Sequence, residues 1–84
     1  PIVIKEDELQ NLKKCYYKDL LDSEKELNKN CPITLEEFIE NEYILELPCK
    51  HIFKFDTIKE WLLNNSHKCP VCRNSSGKSE PKIQ

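Results

Sequence analysis

The chain has 84 residues, 38% of them hydrophobic and 33% charged, too few to bury two cores; at roughly 70–80 ordered residues one core supplies only ~3–5 kcal/mol, so a staple is expected. Five cysteines, an odd number, and no charged-then-apolar stretch at the start of the sequence disfavour a secreted disulfide framework and point to metal-bound thiolates in a reducing compartment, cytoplasmic or nuclear. The net charge of −2 divides unevenly: residues 1–48 hold six Lys against twelve acids, and 49–84 hold seven Lys and Arg against three. Those basic residues are scattered singly among Phe, Trp and Leu, which argues against a nucleic-acid partner.

Residues 1–30 read as an N-terminal helix and linker. From Lys5 to about Asn28 there is no Pro or Gly, and Leu9, Leu12, Tyr16, Leu20 and Leu27 recur at spacings of three, four and seven, the period of one amphipathic helix. Its apolar stripe needs a surface, either this domain or a neighbouring segment, with a dimerisation or partner helix as the alternative. Cys15 lies on that segment far from the other cysteines and reads as a small buried hydrophobe.

Residues 31–73 have a different pattern. Ile44, Leu45 and Leu47 before Pro48, then Ile52, Phe53 and Phe55, are short β-type runs that form a hairpin around Cys49-x-His51. Asp56 and Thr57 then offer caps for a helix running to about Asn65, with Glu60 placed to complete a capping box with Thr57. Ile58, Trp61 and Leu62 share one face of it. Cys49 and His51 followed by Cys69 and Cys72 have zinc-site spacing, and a closed shell of three Cys and one His has no position for water, so the metal is structural. His67 is one ligand too many for that tetrahedron and reads as a loop residue. Residues 74–84, with three Ser, two Lys, one Gly and one Pro, read as a flexible tail. No apolar run approaches the ~20 residues of a membrane span, and the start at Pro1 suggests a piece of a longer chain.

The stretch from Cys31 to Arg73, about half the chain, resembles a RING finger, the zinc-binding domain of many ubiquitin ligases. The likeness extends beyond ligands to Ile33, Leu47-Pro48, Phe53, Ile58, Trp61, Pro70 and Arg73. It implies a small α+β cross-brace with a short β-hairpin, one central helix and, here, an N-terminal flanking helix. In the family the first and third ligand pairs bind one zinc and the second and fourth pairs another. The second site, Cys49, His51, Cys69 and Cys72, is complete. The first is degenerate, with Cys31, Thr34, Lys54 and Thr57 at its positions, and hydroxyls with an ammonium cannot replace thiolates or imidazole around zinc. One zinc per chain is therefore expected. Hydrogen bonds among Thr34, Thr57 and nearby backbone would hold the vacated site, with Lys54 paired to Asp56, Glu36 or Glu37; zinc-free U-box domains resemble RINGs built on such polar networks. Cys31 is expected to be a buried inert thiol.

The resemblance further implies a ubiquitin ligase without a covalent intermediate of its own, and the chain shows no nucleophile with an adjacent base. Such a module binds a conjugating enzyme loaded with ubiquitin and promotes transfer to a lysine of a protein substrate. Carried over by position, Ile33, Trp61, Pro70 and Val71 would contact the conjugating enzyme, and Arg73 would bridge it to ubiquitin. Trp61 has a competing reading as core. Two other functions stay open: a SUMO ligase of the SP-RING type, which also keeps only the second site, and a non-catalytic RING-like interaction module.

Overall fold

The computed structural model describes residues 2–75 and 79–81. In chain order it contains β1 (Ile2–Ile4), α1 (Glu6–Gln10), β2 (Lys13–Tyr16), a 3-10 turn (Tyr17–Asp19), α2 (Asp22–Leu27), β3 (Tyr43–Glu46), β4 (Ile52–Lys54), α3 (Phe55–Asn64) and β5 (Ser79–Pro81). β2, β3 and β4 form an antiparallel sheet in that order, and β1 pairs antiparallel with β5.

The expected hairpin is present, with Ile44 opposite Lys54 and Glu46 opposite Ile52. Three consecutive buried residues, Ile44, Leu45 and Glu46, mean that β3 is covered on both faces, as continuous burial along a strand requires. Helix α3 supplies Ile58 and Leu62, both fully buried, against Leu45, Leu47, Ile52 and Phe53. Trp61 is half-buried on the same helix and packs at the edge of this core. The helix starts earlier than Asp56-Thr57 suggests. Lys54 is its extended N-cap without a side-chain cap, because β4 runs directly into the helix and leaves Thr57 inside the first turn; the capping box is not made.

A single helix over residues 5–28 does not form. Lys13–Tyr16 instead pairs with β3, Cys15 opposite Ile44, so the edge of the hairpin takes up those backbone groups and overrides the helical period. Leu9 and Leu20 are buried while Leu27 is 85% exposed, so the apparent stripe serves two short elements facing different surfaces. Lys14 Nζ donates to the carbonyls of Leu9, Gln10 and Leu12 at 3.4, 2.8 and 3.0 Å, closing the carbonyl end of α1 with a cation. Tyr17 stacks on Phe38 at 5.0 Å between centroids and donates its hydroxyl to Asn28 O at 2.9 Å. The N-terminal segment is thus a layer of the same core. The tail is also corrected in part: residues 79–81 pair with β1, while 76–78 and 82–84 lie outside the described residues.

Candidate metal centre

Two loops meet at the end of α3. The turn between β3 and β4 is closed by Leu47 N–H to His51 O at 3.0 Å and Lys50 N–H to Leu47 O at 2.8 Å, with Lys50 at φ 74°. The second loop is closed by Cys69 N–H to Asn74 O and Arg73 N–H to Cys69 O, both 2.9 Å. These turns bring the ligand atoms of Cys49, His51, Cys69 and Cys72 within 4.8 Å of one another. His51 Nδ1 faces the cluster, 3.3 Å from Cys49 Sγ and 3.5 Å from Cys69 Sγ, and Val71 N–H donates to Cys69 Sγ at 3.4 Å.

The donor set fits zinc. A tetrahedron with metal–sulfur bonds near 2.3 Å places its ligand atoms about 3.8 Å apart, so only a small contraction separates this cluster from a closed shell. Burial pushes the Cys49 thiol up to about 12, while the Asn74 N–H draws the Cys72 thiol below its ordinary value. Metal binding must therefore displace protons from crowded thiols. His67 is elsewhere. Its N–H donates to Ile2 O at 2.8 Å and its Nδ1 is 3.3 Å from that oxygen, which ties α3's exit to β1.

At the degenerate positions the residues do not fit a metal. Cys31 is fully buried. Burial pushes its thiol up, but the N–H groups of Lys54, Thr34 and Ile33 with the Thr34 hydroxyl outweigh that and lower it. Lys54 Nζ turns away to donate to Glu36 Oε1 at 2.9 Å and to face Glu42 Oε2 at 3.5 Å. Of the partners that the sequence offers Lys54, Asp56, Glu36 and Glu37, the structure pairs it with Glu36 and adds Glu42, just ahead of β3, which nothing local in the sequence aligns with residue 54.

Trp61, Pro70 and Arg73 line one open depression of about 250 Å³ together with Ser66, Lys68 and Cys69. Trp61 Nε1–H donates to Lys68 O at 2.8 Å, which fixes the indole between core and surface. Val71 is 48% exposed on the adjoining loop. Ile33 is half-buried on the Cys31 loop and does not line this depression.

The Ring finger domain family matches residues 29–73. E3 ubiquitin-protein ligase RNF181 of Danio rerio is 49% identical over 43 residues, 51% of this chain and 27% of that protein. An uncharacterized RING finger protein of Encephalitozoon cuniculi is 44% identical over 45 residues, 54% of this chain and 15% of that one. The chain thus spans less than a third of the length of these relatives. The crystal structure of the RING-H2 domain of Arabidopsis RMR1 superposes with a TM-score of 0.74 at 27% identity, covering 87% of this chain and 95% of that domain.

Proposed function

The chain belongs to the RING finger family, and from that membership we propose that it is a RING-type ubiquitin ligase module that holds one zinc ion. Cys49, His51, Cys69 and Cys72 would be the ligands. A zinc ion there would crosslink the two loops and perform no chemistry on substrate. The observation that carries the reading is the adjacency of this cluster to the depression lined by Trp61, Pro70 and Arg73, since Cys69 belongs to both. A half-buried indole with its N–H already satisfied offers an apolar face to a partner at little ordering cost.

In this reading Ile33, Trp61, Pro70 and Val71 receive the conjugating enzyme, and Arg73, exposed beside the last ligand, spans from it to ubiquitin with its several donors. The reactive cysteine belongs to the partner. The module accelerates transfer by restraining ubiquitin against its carrier, which removes rotational freedom before the step. The protein substrate is supplied elsewhere, and thiolate ligands require a reducing compartment.

The test is discharge of ubiquitin from a panel of loaded conjugating enzymes by the wild-type chain, with Trp61→Ala alongside. Discharge that Trp61→Ala abolishes while one zinc per chain is retained in native mass spectrometry supports the reading. No discharge with any carrier, or an undiminished Trp61→Ala, overturns it.

A further inference from the structure

The loops at residues 31–36, before β3, and 69–74, after α3, share one pattern of backbone hydrogen bonds. In the loop at residues 69–74, Cys69 N–H bonds Asn74 O, Arg73 N–H bonds Cys69 O, Lys68 bridges Ser75, and Arg73 has φ 64°. In the loop at 31–36, Cys31 N–H bonds Glu36 O, Leu35 N–H bonds Cys31 O, Asn30 bridges Glu37, and Leu35 has φ 64°. The first loop therefore keeps the backbone of a metal loop around residues that cannot bind a metal. Something else holds it. Inside, the Cys31 side chain is fully buried, and the nearby N–H groups of Lys54, Thr34 and Ile33 hold its thiol below the ordinary value against the cost of burial. Outside, the Lys54 ammonium joins Glu36 at 2.9 Å to Glu42 at 3.5 Å, and Lys54 itself is the junction of β4 with α3.

We propose that this brace replaces the family's first zinc, and that Lys54 is a positioning residue that sets the 31–37 loop, and with it Ile33, against the start of α3. The proposal rests on the ligase reading for its consequence, because Ile33 is the loop's contact with the conjugating enzyme. One loop is then held by metal and the other by ion pairs whose acidic side chain Glu36 is 69% exposed. Salt screens the second and not the first: the Debye length falls from about 10 Å at 0.1 M to about 3 Å at 1 M.

The experiment measures discharge kinetics, salt dependence, zinc content and amide exchange on the wild type, on Lys54→Met, and on the combined variant Thr34→Cys, Lys54→His, Thr57→Cys. Lys54→Met is expected to raise KM for the loaded conjugating enzyme severalfold at unchanged kcat, to lose the wild type's salt response, to speed exchange at residues 31–37, and to keep one zinc. The charge swap Lys54→Glu with Glu36→Lys recovers part of the KM loss. The combined variant takes up a second zinc and its KM no longer responds to salt. Wild-type kinetics and exchange in Lys54→Met, or a combined variant that stays at one zinc, overturns the brace. A wild type that discharges nothing removes the ligase reading alone, since exchange at 31–37 still decides whether Lys54 orders the loop.

Discussion

Leu35, Lys50 and Arg73 have φ values of 64°, 74° and 64°, in the left-handed region where a side chain costs roughly 1–2 kcal/mol. A non-glycine tolerated at such a position is retained for its side chain or held by its surroundings, which separates the backbone conformation of Arg73 from the bridging role proposed for its guanidinium. Arg73→Gly relieves the backbone and removes the guanidinium, so thermal unfolding should shift up or stay level while discharge falls. A rate equal to wild type would show the guanidinium to be idle. Glu46 offers a second residue-scale test. Its side chain is 4% exposed, 3.3 Å from Lys13 Nζ, and its Oε2 has no hydrogen-bond partner among the described residues. Burial, and then the Glu24 carboxylate, push the Glu46 carboxyl above its ordinary 4.5, while the more exposed Glu24 is lowered. A raised carboxyl favours the fold fully below its unfolded value, and that contribution is lost as pH rises through the folded one. Glu46→Gln should therefore raise Tm at pH 7, with the gain vanishing below about pH 4. A gain that grew with acid would reverse the assignment.

At the scale of elements, Leu9 and Leu27 lie on one stripe if residues 5–28 are helical, yet the fold buries Leu9 to 4% exposure and leaves Leu27 at 85%. Leu9→Ala should cost about 2–5 kcal/mol in denaturant unfolding, and Leu27→Ala no more than about 0.5. Equal costs would favour the continuous helix. The contrast also shows what sequence can encode. The hairpin and the buried Ile58 and Leu62 of α3 were legible because their period, turn residues and ligand spacing are local. Cys49, His51, Cys69 and Cys72 were legible because few arrangements satisfy that spacing with soft donors. The pairing of Lys13–Tyr16 with β3, and of β5 with β1, was not, because strands of four and three residues carry no periodicity and gain their order from partners distant in the chain. Glu42 escaped notice for the same reason: it reaches Lys54 only once β3 and β4 are paired.

On the scale of the whole molecule, the candidate metal cluster is packed into the core through Cys69. Cys69 is 1% exposed and belongs to the same cluster of buried residues as Ile58, Leu62, Ile4 and Leu9, so the loop cannot open without uncovering α3 and the N-terminal layer. Structural zinc contributes on the order of 10 kcal/mol to small domains of this kind, comparable to the entire stability of a domain of this length. Loss of the ion should therefore unfold more than its loops. Trp61 reports on this directly, because its indole sits against the core and donates to Lys68 O at the start of the metal loop. Chelation at neutral pH should abolish the near-ultraviolet circular dichroism of Trp61, amide protection in β3 and α3, and discharge activity together, all restored by one equivalent of zinc. Acid should mimic the chelator, since protons compete for the thiolates that the ion requires. Protection of β3 that outlasted the tryptophan signal would make the metal loop a separate unit, and a requirement for a second equivalent would mean that the Cys31 loop binds metal after all.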